Sequence, residues 1–160
     1  MKFTVKQLTR GAVIGALYVV LTLVLAPFSF GAMQLRVSEI LTVLPFIMPE
    51  AVFGLTIGCF ISNIICSNIV DAIVGTLATF LAALVTRKTK KLFLAPLPPV
   101  LFNAVLVGGV ITVMSLEFTL YNYIMVVLSV GIGQAIVCYV GGIPFLVFLN
   151  KLAEKVKFLR

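Results

Sequence analysis

The sequence predicts an all-α membrane protein, a bundle of six transmembrane helices built as one domain over residues 1–160, on three observations. The 160-residue chain is 62% hydrophobic and 11% charged, where a soluble domain carries roughly a quarter charged residues, and its mean hydropathy is +1.24. Its apolar runs approach the ~20 uncharged residues of a spanning helix, and they lack the period-two alternation of membrane β-strands. Its basic residues cluster in three places: Lys2, Lys6 and Arg10 at the start, Arg87, Lys88, Lys90 and Lys91 in the middle, and Lys151, Lys155, Lys157 and Arg160 at the end.

The elements follow in order. The first helix runs from about Leu8 to Ala26 and stops at Pro27, since an interior proline loses a hydrogen bond and clashes with the preceding turn. A basic start before an apolar run resembles a signal peptide, but this run is too long for one and reads as a mature helix. The second helix spans about Val37 to Met48. Pro49 and Glu50 open the third, which reaches Ile65; proline suits the first turn and a carboxylate suits the positive helix start. The fourth begins after Cys66-Ser67-Asn68 and ends at Thr86, with Asn68 as N-cap and Asp71 completing a capping box. The fifth follows the proline-rich Ala95 to Pro99 and ends near Met114. The sixth covers Tyr121 to Leu149, with a kink or break expected at Gly141, Gly142 and Pro144.

By the positive-inside rule all three basic clusters face the cytoplasm, which places both termini there and the chain in the plasma membrane. The net charge of +7 is then a topology signal rather than a nucleic-acid footprint. The parity requires an even number of crossings between Ala26 and Asn68. The second and third helices supply two, although each is short for a ~30 Å core, and a re-entrant hairpin satisfies the parity equally. The loop from Phe28 to Leu35, the Cys66-Ser67-Asn68 turn and Glu117 fall outside, and Glu50 falls on the inner side.

Several chemistries lose their support. The chain has no histidine, and its three cysteines, Cys59, Cys66 and Cys138, show no CxxC spacing, so neither a metal site nor a cofactor is expected. No phosphate-binding GxxxxGK[ST] loop and no G-x-S-x-G elbow occur, and an enzyme is not expected.

Ionisable groups within spanning segments cost about 2.5–3.5 kcal/mol at the centre on insertion scales, so each invites a reason. Arg36 and Glu39, one turn apart, either neutralise each other or face a ligand beside the external loop. Asp71 either completes the Asn68 cap or lines the same mouth. Glu50 reads as a helix-start residue. Asn103 and Gln134, amides inside helices, serve either interhelical bonding or a pocket. Tyr121, Tyr123 and Tyr139 read as interfacial belt residues. In the first helix Gly11 and Gly15, then Ala12 and Ala16, form overlapping small-xxx-small patterns that suit either packing inside this chain or docking to a separate subunit.

The runs RVSEILTVLPFIMPEAVFGLTIGCFISNI, GTLATFLAALVT and LPPVLFNAVLVG together resemble the QueT family of queuosine-precursor transporters, the substrate-binding S components of energy-coupling factor (ECF) transporters. The likeness covers most of the chain and is densest from Arg36 to Val107. It departs at Ile40, where alanine is expected, and at Cys66-Ser67-Asn68, where a more glycine-rich turn is expected.

The resemblance implies a six-helix S component that captures substrate from outside and works with a transmembrane T component and two cytoplasmic ATPases. It implies docking through the Gly11, Ala12, Gly15 and Ala16 face of the first helix. The implied substrate is a 7-deazaguanine base: queuine, or a precursor with a nitrile or aminomethyl arm. Glu39 and Arg36 have the chemistry to read its guanine-like edge. Gln34, Asn103 or Gln134 would complete that reading, Asp71 would face a cationic arm, and Asn68 lies at the same mouth. The rival expectations are an S component for another metabolite or vitamin, and a solitary proton-coupled carrier using Glu39 or Asp71.

Overall fold

The computed structural model describes residues 4–29, 35–115 and 119–158, and the side chains within them except those of residues 28–29 and 154–158. It is all-helical, and six helical segments carry it. Helix α1 (Val5–Val24) starts at a complete capping box, in which Thr4 and Gln7 satisfy each other's backbone donors. After a single turn at Ala26–Ser29, α2 (Val37–Phe46) follows as a 3₁₀ helix. Helix α3 (Ala51–Cys66) and α4 (Ile69–Lys88) form an antiparallel hairpin, with the Asn68 side chain capping α4 at the Asp71 amide as expected. Helix α5 (Leu92–Met114) and α6 (Leu120–Ala153, continuing helically to Phe158) complete the bundle.

Four of these, α1, α4, α5 and α6, are long and apolar enough to cross a membrane. The other two are short. Ten 3₁₀ residues in α2 extend ~20 Å at ~2.0 Å each, and sixteen residues in α3 extend ~24 Å at ~1.5 Å each.

A 3₁₀ helix stacks residues three apart, and α2 uses all three of the resulting faces. Ser38, Leu41 and Leu44 turn toward α1, where Ser38 meets Thr22 at 2.7 Å and both leucines join the core of Ile14, Tyr18, Leu55 and Leu146. Ile40 and Val43 press on Gly141 and Gly142 of α6, where a Cβ would lie 2.7 Å and 2.9 Å from their side chains. Arg36, Glu39 and Thr42 are left to face the polar interior. A helix committed on every side belongs inside a bundle, and Leu41 to Pro45 are all buried.

Helices α1 and α3 run parallel at very close range. Gly11 packs on Glu50 and Gly54, and Gly15 packs on Gly54 and Gly58, so two four-residue glycine repeats lock into each other as small-residue membrane contacts do. Gly54 and Gly58 were not part of the sequence expectation, although they carry the same spacing as Gly11 and Gly15. At the start of this contact Arg10 and Glu50 pair at 3.6 Å.

Both late helices contain π-helical segments, Asn103–Val107 in α5 and Ile136–Gly142 in α6. The second ends at Gly142, so the expected interruption there takes the form of a widened turn with the helix continuing beyond it. One buried cluster gathers Ile14, Ala51, Ala95 and Leu146, with Leu92 and Leu149 packed against it. The described members of the basic stretches, Lys6 and Arg10, Arg87 to Lys91, and Lys151, adjoin these residues and therefore lie at one end of the bundle.

Candidate functional site

Six polar side chains meet inside the half of the bundle away from the basic stretches. Arg36, Glu39, Asn63, Asp71, Asn103 and Gln134 are each no more than 5% exposed. Five helices deliver them: the N-cap and first turn of α2 give Arg36 and Glu39, and α3, α4, α5 and α6 give one each.

Glu39 is the hub. Its Oε1 accepts from the Tyr18 hydroxyl at 2.7 Å, and its Oε2 accepts from Asn103 Nδ2 at 3.3 Å. Each oxygen thus has one partner, and in the ionised form each retains one further acceptor position. Its backbone carbonyl accepts from Thr42 at 2.6 Å and from the Cys138 thiol at 3.6 Å, and that thiol also lies 3.7 Å from Gln134 Oε1. Asn103 is the first residue of one π segment and Gln134 precedes the other by two residues. Wider turns of this kind recur where a helix must aim a functional side chain.

Arg36 forms a second centre. Its Nη1 donates to Asn63 Oδ1 at 3.1 Å, and its Nη2 lies 3.8 Å from Asp71 Oδ2. Asn63 donates in turn to the Asp71 carbonyl and to the Cys59 sulfur, and Gly75 keeps α4 open beside it, since a Cβ there would lie 2.8 Å from Asn63 Nδ2. Asp71 Oδ2 accepts from Ser67 at 2.6 Å.

The structure thus brings together Arg36, Glu39, Asp71, Asn103 and Gln134 from the sequence expectation. Asn68 stands at the edge, its carbonyl oxygen committed to the Asp71 amide and its Nδ2 donating to Ser67. Gln34 and Glu117 lie outside the described residues. Tyr18 and Asn63 are central and were not anticipated. Asn63 carried the same signal as Asn103 and Gln134, an amide in an apolar helix. The signal for Tyr18 was indirect: it follows Gly15 by three residues and so shares the small-residue face of α1.

Glu50, expected as a helix-start residue, occupies the position before α3 without a side-chain cap bond and is buried against Arg10. On α1, Gly11 and Gly15 are buried by α3, whereas Ala12 and Ala16 stay exposed. They border an apolar groove of about 540 Å³ between α1 and α3 that Phe53, Ile57 and Ile61 also line, together with Gln7 and Glu50.

The family model described as QueT transporter matches residues 8–151. Over 70 residues the chain is 44% identical to the queuosine precursor transporter QueT of Lactococcus lactis subsp. cremoris (strain MG1363). That match covers 42% of this chain and 41% of the relative, so it spans less than half of that protein's length. No solved structure matches the chain.

Proposed function

The chain belongs to the QueT transporter family, and from that premise we propose that it is the substrate-capture component of an ECF-type importer. Its cargo in this reading is a 7-deazaguanine base, queuine or one of its precursors, taken from outside the cell. One observation carries the reading: two carboxylates, a guanidinium and three amides from five helices converge in one buried part of the bundle. Burying such groups costs several kcal/mol unless they are paired, and a polar cargo gives the expense a purpose.

The chemistry suits a guanine-like edge. Two adjacent N–H donors of the base meet the free lone pairs of Glu39, while the Arg36 guanidinium or the amides of Asn103 and Gln134 donate to its carbonyl. Gln34 and Asn68 stand in the same proposal as residues of the entrance. All six central groups are buried, so the base enters when the helices part.

The basic stretches at one end of the bundle support an orientation with both termini in the cytoplasm, and the polar cluster then lies toward the outside. Residues 1–160 act in this proposal as a single membrane domain. Ala12 and Ala16 are the exposed small residues of α1, and the groove beside them is the docking face for a transmembrane T component, which two cytoplasmic ATPases energise. Gly11 and Gly15 serve that face indirectly by holding α3 against α1.

The test is a thermal-shift and binding screen of purified protein against queuine, its aminomethyl and nitrile precursors, guanine and common vitamins, with co-purification of T and ATPase subunits as its second arm. Stabilisation by deazaguanines, together with recovery of the partner subunits, is the expected result. Stabilisation by a vitamin alone would transfer the reading to another cargo, and transport by the chain without partners would replace it with a solitary carrier.

A further inference from the structure

The buried polar cluster carries more negative than positive charge. Glu39 and Asp71 are its carboxylates and Arg36 its guanidinium, and the sequence offers no second lysine or arginine between residues 11 and 86 and none between 92 and 150. An uncompensated buried charge costs several kcal/mol. Asp71 shows where the imbalance falls. Its Oδ2 accepts from Ser67 and faces Arg36 at 3.8 Å, whereas its Oδ1 is buried without a hydrogen-bond partner. The capping of α4 does not need this carboxylate, because Asn68 caps through the Asp71 backbone amide.

We infer that Asp71 reads the arm of the cargo, and that the site favours a base whose arm carries a protonated amine over one whose arm ends in a nitrile. This rests on the deazaguanine reading given above. An ammonium or secondary ammonium group donates N–H to Asp71 Oδ1, fills the vacant acceptor and restores the charge balance of the cluster. A nitrile nitrogen can only accept, so it brings a lone pair toward a carboxylate oxygen and leaves that oxygen unsatisfied. A hydrogen bond between charged partners is strong enough for discrimination of at least about tenfold.

The experiment measures the affinity of the purified full chain, wild type and Asp71→Asn, for aminomethyl-7-deazaguanine and for the nitrile analogue. The asparagine keeps the shape and can still accept from Ser67, but it lacks the charge. Wild type binding the aminomethyl base at least tenfold more tightly, with that ratio falling toward one in Asp71→Asn, is the expected result. Equal affinities in wild type, or a parallel loss for both bases that leaves the ratio unchanged, would overturn the role of Asp71 while leaving the deazaguanine reading intact. If wild type binds neither base, that reading fails first and the assignment of Asp71 falls with it. Thermal unfolding of both proteins without ligand separates a folding defect from a change in selectivity.

Discussion

Replacing Gly58 by alanine probes the contact on which the bundle is assembled. A Cβ at this position would stand 2.7 Å from the carbonyl oxygen of Gly15 and 3.1 Å from its Cα, against an ordinary contact that begins at 3.4 Å. Both obstacles are backbone, so no rotamer change relieves them, and α1 and α3 must separate by the 0.7 Å difference between 2.7 and 3.4 Å. Overpacking of this kind costs ~1–3 kcal/mol, and the rigidity of a helix backbone puts it near the upper figure. The better helix propensity of alanine returns ~1 kcal/mol. The net loss of about 2 kcal/mol corresponds to a fall in Tm of about 4–8 °C for a chain of this size. The assay is thermal unfolding in detergent, followed by size-exclusion recovery of the monodisperse peak. Gly109→Ala is the internal control, since the nearest atom to its added Cβ, Tyr123 Cε2, is 3.8 Å away; its Tm should equal or exceed that of wild type. A Gly58→Ala protein at or above the wild-type Tm would refute the argument that α1 and α3 touch backbone to backbone.

Three further outcomes follow from the same geometry. Tyr18→Phe removes the 2.7 Å donor to Glu39 inside a fully buried site; a cost of about 1–3 kcal/mol is expected, and an unchanged Tm would show that this bond contributes nothing. Gly141→Ala drives a Cβ to 2.7 Å from Ile40 Cδ1 and Cγ1, side-chain atoms that can turn aside, so its cost of ~1 kcal/mol should shrink when Ile40→Ala is combined with it; strict additivity of the two changes would contradict the contact. In a Cys66→Ser background, Lys90→Cys should react with an impermeant thiol reagent only after cells are permeabilised, and Thr119→Cys should react in intact cells. The opposite pattern would invert the topology.

Much of the bundle was legible because lipid imposes a simple code. Long uncharged runs define α1, α4, α5 and α6, and the prolines and basic clusters bound them. Asn68 announced its cap, and the Gly141-Gly142 pair announced the irregular turn in α6. The 3₁₀ form of α2 was hidden, because a segment buried on every side has no amphipathic period to read. The charged residues were visible as anomalies, but their partners were not. Arg36 and Glu39 suggested a local pair, whereas the printed chain order says nothing of the 2.7 Å bond from Tyr18 to Glu39 or the 3.1 Å bond from Arg36 to Asn63. Such contacts depend on how the helices are rotated about their own axes, and in α1 and α3 the glycine repeats fix that rotation. The Gly54 and Gly58 repeat stood in the sequence, and pairing it with Gly11 and Gly15 would have turned Tyr18 inward.

The most direct test is the affinity of the purified protein for queuine or its aminomethyl precursor, compared between wild type and Glu39→Gln. The amide keeps the volume of the carboxylate but cannot present four acceptor positions; binding should weaken at least about tenfold while the protein still elutes as a folded monodisperse species. Unchanged affinity in Glu39→Gln would contradict the claim that this buried carboxylate is the acceptor around which the cargo is held.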